Sequence, residues 1–246
     1  MNQFFGDNIK LDRLSAMFKT SDISEKTQRH LTTVYFNVTG CALICATAMW
    51  INAHTMFSGF FASMLVMIGM SYLAYKVSNP YMPQGERMGY MWALSFALGF
   101  LVGPAIHHIA EFDPSIVMKA AGITGVMFAS FSAISVFSKR RSYLFLGSLI
   151  TSMVSCMLMY RFVCWISGQS SPLDSFAYIM LSLLIACMYV IYDTQMIIER
   201  CEVYGERDVP KHTLILFMDL FDLFIKVIQV LLELQKQDEK KKKNKD

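Results

Sequence analysis

The chain has 246 residues, 54% of them hydrophobic and 17% charged, with a formal net charge of +3 and a mean hydropathy of +0.41. A soluble domain carries about 25% charged residues and breaks its apolar runs with polar faces. The runs here reach roughly twenty residues, the length of a helix that crosses a bilayer, so a soluble domain is excluded and nucleic acid is not expected as a partner.

Residues 1–30 are polar and carry Lys10, Arg13, Lys19, Lys26 and Arg29. They contain no apolar core of a cleavable signal peptide and read as a cytoplasmic tail, with a short amphipathic piece possible at 11–18. Seven apolar stretches follow, at 31–51, 56–75, 88–109, 116–137, 143–166, 176–198 and 213–234. Each is expected to be helical, because lipid leaves open backbone groups unsatisfied, and the ten-residue alternation of a transmembrane barrel is absent. The reading is one multi-pass domain over 31–234 and a lysine-rich tail over 235–246. Gly99, Gly103, Ala120, Ala121, Gly122 and Gly125 lie within the middle spans, where small residues permit close helix approach.

The connections are sorted by charge. Those at 53–55, 110–114 and 167–174 lack Lys and Arg. The alternate ones carry Lys76 and Arg87, then Lys139, Arg140 and Arg141, then Arg200, Arg207 and Lys211. Basic connections stay cytoplasmic, which places the N-terminus there too. Lys236, Lys240–Lys243 and Lys245 break the pattern: seven crossings put them on the opposite side, whereas six crossings and a re-entrant seventh segment keep them cytoplasmic. Both topologies stay open at this stage.

Acids inside a membrane mark function by default. Asp193 is late in the sixth segment and Asp219 early in the seventh. Each is about seven residues from the intervening loop, so both lie roughly 10 Å from one membrane face. If they meet, both do not easily ionise, and the pair titrates as a unit. A shared proton makes a neutral, closed latch. Its loss leaves a negative centre that attracts a cation, and calcium prefers such oxygen ligands. The alternative is that each acid pairs with a base, Arg200 for Asp193, or caps a backbone group.

Asp222 is four residues before Lys226, a spacing that favours an ion pair over a further cation ligand. Arg161 snorkels to the interface or serves as a counter-ion. His107 and His108 read as an interfacial pair beside Glu111 and Asp113, since a metal site needs more convergent ligands. The six cysteines form no Cys-x-x-Cys and read as reduced packing residues. Asp208-x-x-x-His212 matches half of an intramembrane hydrolase metal motif, but the partner histidines are missing from the sequence pattern. The lysine-rich end reads as a solvated tail or an anionic-lipid contact.

Several runs together resemble one family. They are Tyr192-Asp193-Thr194-Gln195-Met196-Ile197-Ile198-Glu199, Gly103-Pro104 with Phe112-Asp113-Pro114-Ser115-Ile116, and Ser138-Lys139-Arg140-Arg141-Ser142-Tyr143-Leu144-Phe145-Leu146-Gly147. Lys211-His212-Thr213-Leu214 and Leu216-Phe217-Met218-Asp219 add to them. Over nearly all the chain after residue 30 the sequence is similar to the Bax inhibitor family, the transmembrane Bax inhibitor motif proteins, in its founding branch. The resemblance implies an all-α integral membrane protein with six helices surrounding a central C-terminal seventh. It also implies residence in the endoplasmic reticulum membrane, suppression of cell death and a pH-dependent calcium leak. The family's paired aspartates match Asp193 and Asp219, which makes them pH-sensing, ion-pathway and calcium-contacting residues. The family's latch arginine falls near Lys76 or Arg87, with Arg161 a further counter-ion candidate. Asp222, Lys226 and His212 are auxiliary candidates.

The expected protein is therefore not an enzyme and carries no cofactor; calcium is its transported ion. Its expected partners are membrane lipids, calcium, protons and apoptosis-regulating membrane proteins. The rival expectation is a membrane scaffold that restrains cell death by binding such regulators without conducting ions.

Overall fold

A computed structural model describes residues 23–55, 60–138, 143–168 and 176–243. The N-terminal stretch with its expected amphipathic piece, the basic turn Lys139-Arg140-Arg141 and most of the loop at 167–174 lie outside the described residues. Among the described residues there are seven helices and no strand: α1 Glu25–Thr55, α2 Phe60–Ser78, α3 Gln84–Phe112, α4 Pro114–Phe137, α5 Leu146–Ser167, α6 Phe176–Val203 and α7 Val209–Lys243. Five of them (α1, α3, α4, α5 and α6) are long and apolar enough to cross a membrane. Of the others, α2 has only 19 residues, and α7 carries Asp219, Asp222 and Lys226.

Local signals explain the boundaries. The first helix starts six residues before the apolar stretch, because Ser24 provides a cap: its Oγ accepts from Thr27 N–H at 3.4 Å. Ser24 also donates from N and Oγ to Glu202 Oε1 at 2.9 and 2.7 Å, which ties the start of α1 to the end of α6. Between α3 and α4 there is a single residue. Asp113 accepts from Ser115 N–H at 2.9 Å and precedes Pro114, which restricts Asp113 to extended backbone and opens the next helix. The hydrogen bond from Ser115 holds the Asp113 carboxyl below its usual range. The α6–α7 turn uses Gly205 at φ 66°, and Asp208 caps α7 by accepting from Lys211 N–H at 3.1 Å.

The seventh helix is central. It packs against α1, α2, α3, α4 and α6, while α5 packs on α6 at the outside. Leu216, Phe217, Leu223, Val227 and Ile228 of α7 are buried in that surround. With 35 residues α7 is about 52 Å long. It has no Gly, and its one Pro, Pro210, stands in its first turn, so nothing in it produces the break that a re-entrant segment requires. The helix continues unbroken through Lys236 into the lysine-rich end.

Close approach of α1 and α3 follows from two glycines. A Cβ on Gly99 would overlap the Cys45 carbonyl, and one on Gly103 would meet Asn52 Cβ at 2.8 Å. Gly122 and Gly125 face open space instead, so they make no comparable contact. Outward faces are apolar, with Phe36, Leu43, Leu65, Ile68, Met118 and Trp165 exposed, as lipid-facing surfaces require.

Candidate functional site

The tight α6–α7 turn makes two antiparallel neighbours. Asp193 lies ten residues before the end of α6, and Asp219 ten residues after the start of α7. Both therefore sit about 15 Å from the turn, and their carboxyl groups hydrogen-bond to each other. A bond between two carboxyl oxygens holds one proton: one O–H donates and the other group accepts. The second oxygen of Asp219 is buried without a hydrogen-bond partner.

A polar layer surrounds the pair. Tyr35 of α1 hydrogen-bonds with Thr194 at 3.2 Å and lies beside Ser132 of α4, whose buried hydroxyl has no hydrogen-bond partner. Gln195 Nε2 donates to Ser135 O at 2.8 Å, and Ser135 Oγ donates to Ile191 O at 2.9 Å. The charges that act on Asp219 come from Asp193 and Asp222, while Arg200 is the base acting on Asp193. Tyr189 feels Asp193, Asp219 and Asp222. Among the described residues, no third His, Cys, Asp or Glu ligand atom joins Asp193 and Asp219 closely enough to make a metal set. Calcium takes six to eight oxygens, so the two carboxyls alone do not make a calcium-binding set.

The expected latch residues are engaged elsewhere. Arg87 is 2% exposed; its Nε donates to Val77 O at 2.7 Å and a terminal nitrogen donates to Asp208 Oδ2 at 2.7 Å. Lys76 Nζ lies over the Tyr72 ring, 5.4 Å from its centroid. Lys226 Nζ is 3.8 Å from Asp222 Oδ1. Arg161 lines a cavity of about 490 Å³ between α5, α6 and α7, together with Tyr189, Asp222, Lys226 and Glu233. Neither acid of the pair lines that cavity, but Tyr189 and Asp222, which do, are close enough to the pair to interact with it electrostatically. His107 and His108 lie 3.2 and 3.4 Å from Glu111.

Sequence reasoning missed two features near the other end. One is the Arg87–Asp208 pair, which joins the α2–α3 turn to the α6–α7 turn. The other is a buried cluster of His30, Cys201 and His212, in which His30 Nε2 and His212 Nδ1 are 2.8 Å apart. The only sequence signal was the polar start of α1 and the Asp208-x-x-x-His212 spacing. Beside the cluster, Lys211 donates to Glu206 at 2.7 Å and holds that carboxyl below its usual range. All six cysteines are free.

An all-helical, multi-pass membrane protein with a hydrogen-bonded acid pair between its last two helices is the class that fold and site define. The family model for the inhibitor of apoptosis-promoting Bax1 matches residues 27–237. The chain belongs to that family, the Bax inhibitors. It is 33% identical over 240 residues to the probable Bax inhibitor 1 of Paralichthys olivaceus, covering 97% of this chain and 98% of the relative. It is 34% identical over 224 residues to Bax inhibitor 1 of Oryza sativa subsp. japonica, covering 90% and 88%. Against Bax inhibitor 1 of Mus musculus it is 32% identical over 231 residues, covering 93% and 95%.

Proposed function

We propose that this chain is a pH-sensitive calcium leak channel of the endoplasmic reticulum membrane, with its N-terminus cytoplasmic, and a negative regulator of apoptosis. The observation that carries the reading is the hydrogen-bonded Asp193–Asp219 pair at the core of a membrane Bax inhibitor family protein. With one proton shared, the pair is a compact bridge between α6 and α7. Without it, two negative carboxyls repel in a poorly solvated place and draw in a cation. The polar cavity with Asp222 and Tyr189 supplies an approach from one side. On this reading calcium is the cargo, and Asp193 and Asp219 contact it in passing.

The test is calcium efflux from proteoliposomes across pH, with Asp193→Asn and Asp219→Asn beside the unmodified chain. Flux is expected to be lower on the acidic side, where the proton is held, and higher on the alkaline side. Each Asn variant is expected to flatten that profile, because it leaves one titratable carboxyl in place of a coupled pair. Unmodified flux and pH response in both variants would sink the gating role. Deleting 236–246 separates the scaffold reading: loss of cell protection with unchanged calcium flux would favour binding of death regulators through the basic end.

A further inference from the structure

We propose that His30, Cys201 and His212 form a zinc site that clamps the start of α1 onto the α6–α7 turn. The three come from three helices, and one ligand atom from each falls within a 4.8 Å set. His30 is 6% exposed, Cys201 1% and His212 0%. The imidazoles meet edge to face, with ring centroids 5.0 Å apart and an interplanar angle of 83°. One of their nitrogens, His212 Nε2, is buried without a hydrogen-bond partner. An unpartnered buried nitrogen costs free energy, whereas the facing nitrogens, His30 Nε2 and His212 Nδ1, share a hydrogen bond; the convergence of two imidazoles and a thiol is what carries the proposal.

The donor set selects the metal. Two imidazoles and a thiolate suit zinc, which takes nitrogen and sulfur ligands in tetrahedral sites. Zinc holds nitrogen at about 2.0–2.1 Å and sulfur at about 2.3 Å, which spaces ligand atoms roughly 3.3–3.6 Å apart. The 4.8 Å set needs only a small contraction. If His30 Nε2 and His212 Nδ1 are the ligating atoms, their 2.8 Å separation opens by about half an ångström.

The proton balance is simple. Cys201 now donates its S–H to Glu206 O at 3.1 Å; on binding, that proton leaves to solvent and the thiolate takes the metal. Each imidazole stays neutral, with its single proton on the nitrogen turned away from the zinc. The nearby carboxyls are committed, Glu206 to Lys211 and Arg200 and Asp208 to Arg87. Water therefore fills the fourth position. The site also reinforces a junction that already exists, since Ser24 and Glu202 bond across the same two helices.

The experiment uses the full chain purified in detergent, stripped with chelator and titrated with Zn²⁺ and, for its spectrum, Co²⁺. One equivalent of zinc is expected to bind. Cobalt is expected to give tetrahedral visible bands and a thiolate-to-cobalt band in the near ultraviolet. Cys201→Ser, close in shape and expected to fold, should lose the thiolate band and weaken zinc binding by at least about tenfold. Cys156→Ser, which removes the exposed thiol, should change neither. Absence of one-equivalent binding, or a thiolate band that persists in Cys201→Ser, would overturn the proposal.

Discussion

A glycine within a helix costs roughly 0.5–1 kcal/mol relative to alanine, so Gly99 must recover that cost through packing. It does so by letting α3 approach the Cys45 carbonyl of α1. Gly99→Ala is expected to lower stability by about 1–3 kcal/mol, because the obstructing neighbour is backbone and cannot rotate away. Gly103→Ala should cost less, since its nearest obstacle, Asn52 Cβ at 2.8 Å, overlaps an added Cβ less than the Cys45 carbonyl does at Gly99. Gly125→Ala meets open space and should be neutral or stabilising. Thermal unfolding in one detergent ranks the three; equal midpoints for Gly99→Ala and Gly125→Ala would refute the packing role. At this scale the sequence was informative wherever depth alone mattered. Asp193 and Asp219 were placed level because each is equally distant from one turn. Their meeting was not legible, since helix rotation is set by tertiary packing. The small residues of the middle spans were read together as permitting close approach, and it is the packing that separates Gly99 and Gly103, which make it, from Gly122 and Gly125, where an added Cβ would meet nothing.

Between elements, the ends of the helices are joined by polar contacts that no periodicity announces. Arg87 starts α3, Val77 ends α2 and Asp208 opens α7, and one guanidinium holds all three. Breaking such a buried pair leaves a charge without its partner. Arg87→Met is expected to destabilise the protein by about 3 kcal/mol, the low end for a buried pair, because Asp208 keeps some access to water. Arg87→Lys should not restore it, since an ammonium lacks the planar fork that reaches two acceptors at once. Asp208→Asn keeps the cap on α7 through its one oxygen and loses the charge and the acceptor for Arg87. A double-mutant cycle of Arg87→Met with Asp208→Asn is the measurement. Additive losses would mean that the two residues act independently. The sequence placed Arg87 beside a cytoplasmic turn and offered it as a latch for the acid pair. What it lacked was the long-range register that brings the α2–α3 and α6–α7 turns together.

For the whole molecule, topology is decided by the competition between packing and charge. The positive-inside tendency favours returning Lys236 and its neighbours to the side of the other basic turns. Against it stands the fate of α7, which is unbroken over 35 residues and enclosed by five of the six other helices. Its length of about 52 Å exceeds the roughly 30 Å hydrocarbon core. Turning it back would expose Asp219 to lipid, a cost of a few kcal/mol, and would break the contact between Asp193 and Asp219. Terminal lysines, by contrast, remain in water on either side. If packing is the larger effect, all seven helices cross and the two termini lie on opposite membrane faces. Tags at the two ends of the chain in sealed vesicles are expected to show opposite protease accessibility. If both are digested, or both protected, until detergent is added, α7 does not cross. The acid pair then could not gate a through-membrane path as the packed structure has it, so the same measurement also bears on the proposed leak.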